Sequence, residues 1–245
     1  MRKVLRRLGL AEYGGDELAL ATIACAALGW GLFAVAGPAA APAALVPWLS
    51  VLWFFRDPER RGPEAEEVLV APADGRVADV QEVDEPRFVC GRALRVGIFL
   101  SPFSVHVNRA PCGGMAMYYR YAPGEFLPAY NPRAPERNEA VELGLVTPRG
   151  LRVLVKQITG VLARRIVCEA RPGQVLARGE RYGMIKFGSR TELYVPVESG
   201  YRAEVVVGQW VRGGETPLLR GEPVPAPGAA APCEPGTAST CSATC

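Results

Sequence analysis

The stretch VLVAPADGRVADVQEV, residues 68–83, decides how the body of this chain is built. Branched aliphatic residues fill its two arms, and the Asp74–Gly75 pair between them is a strong signal for a tight turn joining two strands. The same texture continues through ALRVGIFL (93–100), VHVNRAP (105–111), MAMYYRYA (115–122), VELGLVTP (141–148) and RVLVKQITG (152–160). ARRIVCEA (163–170), ELYVPV (192–197) and AEVVVGQWV (203–211) complete the series. Many short β-rich runs broken by Gly and Pro predict a mainly β (α+β) fold, sandwich or barrel-like, rather than alternating βαβ units. The longest irregular stretch, 122–140, is rich in Pro, Arg and Asn, and long loops in compact domains are commonly functional.

Upstream the texture changes. Leu18 to Ala36 is nineteen residues with only Thr22 clearly polar, and as a helix it reaches about 28 Å, close to a ~30 Å hydrocarbon core. After a Gly37–Pro38 break the apolar run resumes from Ala39 and ends in Trp53, Phe54 and Phe55, residues typical of membrane interfaces. Arg2, Lys3, Arg6 and Arg7 flank one side and Arg56, Arg60 and Arg61 the other, which predicts a hairpin with both ends in the cytoplasm. A hairpin buried in a soluble core is the competing reading, because alanine-rich helices also pack inside proteins. The long apolar run without a small-residue cleavage site before Pro38 argues against a removed signal peptide. The organisation expected is a membrane-associating helical hairpin at 1–61, a β-rich domain at 62–220 and a Pro/Ala/Cys tail at 221–245.

Composition narrows the function. A net charge of +3 is too small to point to nucleic acid, and the seven cysteines show no CxxC spacing of the metal-binding kind. Three residue types remain that could form a reactive group. Ser189 follows Gly188, whose carbonyl is uncrowded; His106 is the only histidine; and Asp74 is a carboxylate in a turn. Together they supply a nucleophile, a base and an orienting group, the set needed to activate a hydroxyl.

Several segments then match one family in order: FFRDPER (54–60), APADGRV (71–77), FLSPFSVHVNRAP (99–111), QITGVLARRIV (157–167) and GMIKFGSRTELYVP (183–196). Over residues 1–219 the chain resembles phosphatidylserine decarboxylases of the short, single-domain type. That resemblance implies a membrane-bound enzyme on the cytoplasmic side that converts phosphatidylserine to phosphatidylethanolamine and carbon dioxide. It implies a self-processing triad of Asp74, His106 and Ser189 and cleavage between Gly188 and Ser189. The fragments 1–188 and 189–245 then stay together, and a covalent pyruvoyl group derived from Ser189 forms a Schiff base with the substrate amine. A homodimer is also implied, and Asn138 and Glu139 fall in a family-like stretch beside the long loop, where they would frame a headgroup pocket. Longer relatives have a second histidine near this strand, where this chain has Phe103 and Ser104, so either His106 would serve both processing and protonation or water would help. Three alternatives stand beside this reading: an archaetidylserine-type decarboxylase acting on ether lipids, a biotinyl- or lipoyl-like carrier modified at Lys186, and a serine hydrolase keeping Ser189 internal. The basic cluster Arg56, Arg60 and Arg61 would either hold the domain at the interface or only set topology.

Overall fold

The computed structural model describes residues 2–221 except 130, 132, 162–164, 187 and 188. Gly188, the expected tail beyond 221 and its Cys233, Cys241 and Cys245 lie outside the described residues.

Among the described residues there are fourteen strands. In chain order they are β1 (Val68–Val70), β2 (Gly75–Glu85), β3 (Gly91–Leu100), β4 (Val107–Arg109), β5 (Gly114–Ala122), β6 (Ala140–Val146) and β7 (Arg152–Ile158). Then follow β8 (Ile166–Cys168), β9 (Val175–Leu176), β10 (Arg181–Ile185), β11 (Ser189–Pro196), β12 (Arg202–Ala203), β13 (Trp210–Val211) and β14 (Pro217–Arg220). Eight of them form a curled sheet in the order β13-β2-β3-β11-β7-β6-β5-β9, with every pairing antiparallel. Two three-stranded sheets, β4-β10-β8 and β1-β14-β12, accompany it.

The predicted β-rich body is therefore present, with two corrections, the first at the opening stretch. The arms of 68–83 do not pair with each other. β1 pairs with β14, whereas β2 pairs with β3 and β13. Asp74–Gly75 thus carries the chain from one sheet to another instead of closing a hairpin. The glycine is needed for close approach: a Cβ there would lie 2.1 Å from the Phe99 carbonyl oxygen of β3. The expected strand over 203–211 is likewise two short strands, β12 and β13, separated by a turn.

The central strand β11 is buried along nearly its whole length, so both of its faces are covered. One face adds Leu193 and Val195 to a hydrocarbon core with Val96, Ile98, Leu143 and Val155. The other face carries charge. Register places Arg120, Glu142, Lys156 and Glu192 in one row across β5, β6, β7 and β11, with alternating sign at each step. Cross-strand neighbours of opposite sign stabilise the pairing and penalise a register slip.

Three helices precede the sheets: α1 (Arg2–Arg7), α2 (Gly15–Ala36) and α3 (Leu45–Phe54). Gly37 ends α2 with φ 81°, its N–H bonded to the Phe33 carbonyl at 3.0 Å, an extended positive-φ conformation that glycine adopts without a Cβ penalty. α3 folds back along α2, and Trp48 Nε1 donates to Thr22 Oγ1 at 3.2 Å. The helix Glu12–Ala36 is long and apolar enough to cross a membrane; the apolar helix Ala41–Phe54 is shorter. The buried-core reading fails here, because Ile23, Trp30 and Val35 are 69, 75 and 90% exposed.

The base of the hairpin is part of the body rather than a detached unit. Tyr13, Leu18, Phe54 and Phe55 share a core with Val105, Val107 and Met184 of the β4/β10 region. Ala11 N–H donates to the Phe55 carbonyl at 2.7 Å and Asp57 N–H to the Gly9 carbonyl at 2.6 Å. The orientation of the hairpin relative to β4 and β10 is therefore fixed by packing.

Candidate active site

Asp74 sits one residue before β2, with its carboxylate buried. It accepts two hydrogen bonds from the Arg60 guanidinium at 2.5 and 2.8 Å and a third from Gly213 N–H at 2.8 Å. Arg60 also donates to the Gly213 carbonyl at 2.8 Å, and its side chain is 6% exposed. Burial alone would depress the Arg60 pKa, but the Asp74 carboxylate outweighs it and the pKa rises. Arg60 is thus an internal counterion and not a lipid-facing residue. Removing it leaves a charged carboxylate in a dry site, so Arg60→Met should cost about 3–5 kcal/mol. Urea unfolding of an uncleaved Ser189→Ala background reads this directly. A loss below about 1 kcal/mol would mean that water reaches the pair.

His106 follows a tight Ser101–Ser104 turn, closed by Ser104 N–H to the Ser101 carbonyl at 2.9 Å. The imidazole is fully buried and packs 4.4 Å from the Phe54 ring centre. Its Nδ1 lies 2.9 Å from the Ser104 carbonyl oxygen. A carbonyl can only accept, so Nδ1 carries the proton and Nε2 keeps its lone pair. Nε2 is buried with no hydrogen-bond partner among the described residues. Burial drives the His106 pKa down to about 4, Arg56 adds to the fall, and the Ser104 carbonyl and Asp74 oppose it. The ring is therefore neutral at pH 7 and able to accept a proton. The orienting group is the Ser104 carbonyl, while Asp74 acts on the ring only through its field. The carboxylate takes the guanidinium instead because a bidentate ionic pair is stronger than a bond to neutral imidazole.

Ser189 opens β11 opposite Leu100 of β3, completely buried, and its Oγ also has no partner among the described residues. Phe99 faces both Arg190 of β11 and Arg76 of β2, so the backbones of Asp74 and Ser189 stand two strands apart, roughly 10 Å. His106 approaches from the other sheet. Its carbonyl accepts Ile185 N–H at 3.3 Å, and two residues on, Asn108 Nδ2 donates to Thr191 Oγ1 at 3.2 Å. Strand side chains repeat every second residue, so Asn108 shares a side with His106 and Thr191 with Ser189. The Asn108–Thr191 bond therefore ties together the two faces that carry the histidine and the serine. Gln157 extends this tie, donating to Asn108 Oδ1 at 2.8 Å. Each buried polar atom left without a partner costs about 1–3 kcal/mol, and among the described residues Nε2 and Oγ share that state with Gln157 Oε1, Arg178 Nε and Tyr182 OH.

Other residues find different roles. Asn138 is buried and spends its amide on the Leu127 and Thr159 backbone, so it fastens the 124–139 loop instead of facing a pocket. Lys186 is buried and ion-paired with Glu17 of α2. A lysine that receives a bulky prosthetic group must reach solvent, so the carrier reading fails. Asp57 is the residue the sequence reading missed: buried, it pairs with Arg109 at 2.6 Å and with Arg181. The alternation of sign in RDPER was the available signal, since a basic anchor would not interleave acids.

A groove of 740 Å³ lies between α3 and the 101–104 turn, lined by Val46, Leu49, Val51, Trp53, Phe54 and Phe103. Through Phe54 it abuts His106. A second cavity of 570 Å³, bordered by Arg149, Arg178 and Tyr201, contains none of the three predicted residues.

The sequence profile described as phosphatidylserine decarboxylase matches residues 49–219. A phosphatidylserine decarboxylase proenzyme of Symbiobacterium thermophilum is 52% identical over 174 residues, covering 70% of this chain and 79% of that protein. The proenzyme of Salinibacter ruber is 46% identical over 196 residues, 79% of this chain and 82% of its own length. That of Rhodopirellula baltica is 44% identical over 216 residues, 87% of each.

Proposed function

From the premise that this chain belongs to the phosphatidylserine decarboxylase family and is a carboxy-lyase, we propose that it cleaves itself at Gly188–Ser189 and decarboxylates phosphatidylserine with the group so formed. The observation carrying this reading is that His106 Nε2 and Ser189 Oγ are both buried and have no hydrogen-bond partner among the described residues. Ser189 fits as the source of a pyruvoyl group, since its hydroxyl is shielded from water and its strand is tied to the one that carries a neutral base.

In self-processing, His106 Nε2 takes the Ser189 hydroxyl proton and Oγ bonds to the Gly188 carbonyl carbon. The Gly188–Ser189 C–N bond breaks, the nitrogen gains a proton, and an ester remains. Removal of the residue 189 α-proton breaks the Cβ–Oγ bond and releases the Gly188 carboxylate, leaving dehydroalanine. Tautomerisation to the imine and addition of water expel ammonia and give the pyruvoyl group. Once formed, that group supplies the electron sink for departure of carbon dioxide. His106, the only histidine, is the candidate to hold the proton destined for the substrate α-carbon. The exposed apolar faces of α2 and α3 support association with the bilayer in which such a substrate resides.

Intact mass of the purified protein tests the proposal. Two chains meeting at 188/189, the shorter blocked to Edman degradation, are expected. One unsplit, folded chain would overturn it.

A further inference from the structure

Arg56 is unlike its neighbours in the RDPER segment. Arg60 is neutralised by Asp74, and Asp57 by Arg109 and Arg181. Arg56 is half-buried, yet among the described residues it forms no ion pair. Its guanidinium is held by carbonyls alone, donating to Trp53 O at 2.7 Å and Phe103 O at 2.6 Å, and it lies 4.2 Å over the Trp53 ring. Two of its terminal donors are thus used for aiming, and Nε and the remaining N–H groups make no hydrogen bond to the described residues. Partial burial of a cation that makes no ion pair is unfavourable; burial and the neighbouring Arg60 depress the Arg56 pKa, and the field of Asp74, whose carboxylate is already bound by Arg60, opposes them without cancelling the fall.

Its position names the missing anion. Trp53 and Phe103, which hold the guanidinium, both line the apolar groove between α3 and the 101–104 turn. That groove meets His106 through Phe54 at its inner side and continues outward along the exposed apolar residues Leu49 and Val46 of α3. A cation at the rim of a hydrocarbon groove, beside a buried catalytic base, fits a molecule with a fatty chain, a single negative charge and a reacting headgroup in that order.

We propose that Arg56 is the specificity residue that binds the phosphodiester of the lipid substrate, with one acyl chain in the groove lined by Leu49, Trp53, Phe54 and Phe103. This deepens the decarboxylase reading and rests on it for the headgroup. The guanidinium fork matches phosphate geometry, whereas a lysine would supply only a point charge.

The test uses dihexanoylphosphatidylmethanol, which has the chains and the diester but no amine, against dihexanoylglycerol, which lacks the phosphate. By calorimetry the processed wild-type enzyme should bind the diester about tenfold or more tightly than dihexanoylglycerol. Arg56→Gln should erase that preference and Arg56→Lys should keep part of it, while affinity for dihexanoylglycerol stays unchanged in both. A purely structural role would weaken both ligands alike. Should Arg56→Gln fail to fold, the wild type still decides: phenylglyoxal labelling of Arg56, read by peptide mass, should be slowed by the diester and not by dihexanoylglycerol. Equal labelling rates, or a preference surviving in Arg56→Gln, would overturn the assignment. Failure of the parent reading looks different, because the chain would then be unsplit whatever Arg56 binds.

Discussion

Ser189→Ala is expected to give one full-length chain, no carbon dioxide from phosphatidylserine, and a fold at least as stable as the parent zymogen. The first two outcomes follow from deleting the oxygen that attacks Gly188. The third follows from burial. Ser189 Oγ makes no hydrogen bond to the described residues, so its removal breaks none and relieves an unsatisfied hydroxyl. An ordinary buried serine would lose about 1 kcal/mol on the same change. The comparison needs a wild-type reference that has not yet split, which pulse expression followed by immediate mass analysis and urea unfolding supplies. Continued splitting of the variant would mean that another bond breaks. A loss above about 2 kcal/mol would mean that the hydroxyl is tied into the structure after all.

His106→Gln should slow self-processing by about 10²–10⁴-fold, the usual contribution of a positioned general base. The wild-type processing rate should be flat from pH 8 to pH 5 and fall only as the pH approaches 4, where the ring gains a proton. A histidine of ordinary pKa would instead lose activity through about pH 6.5. Folding stability carries the same signature with a definite sign. The folded-state pKa is depressed to about 4 from 6.5, so the unfolded chain binds the proton first. The histidine therefore costs nothing well above pH 6.5, its penalty grows as the pH falls, and it saturates below pH 4 at roughly 3 kcal/mol. In the Ser189→Ala background this loss should appear while His106 is retained and vanish when His106→Gln is added. Identical stability profiles for the two chains between pH 6.5 and 4 would show that the ring titrates as if in water.

Much of this was legible in the residues. Runs such as ALRVGIFL and RVLVKQITG became β3 and β7 within a few residues, because their branched side chains suit a pleated surface whatever the partner. The hairpin break at Gly37 was legible too, since only glycine adopts that positive φ cheaply. The failures share one cause. Asp74–Gly75 carries a local turn signal, but β1 finds its partner in β14 near the far end of the described chain. Ser104 orients His106 through a backbone carbonyl, which every residue possesses and no side-chain pattern reveals. Arg60 looked like part of a basic anchor because its counterion comes from a different sheet junction.

By itself, the sequence determined the element types and the apolar hairpin, and it singled out Asp74, His106 and Ser189 as candidates, since each depends on periodicity, turn chemistry or residue type within a short window. Only the tertiary structure decided what those side chains meet. Gly213, 139 residues from Asp74, helps to hold its carboxylate; Thr191, 83 residues from Asn108, ties the histidine strand to the serine strand. Such contacts form when long loops close and water is excluded, and it is that exclusion which keeps His106 neutral and the Ser189 hydroxyl shielded.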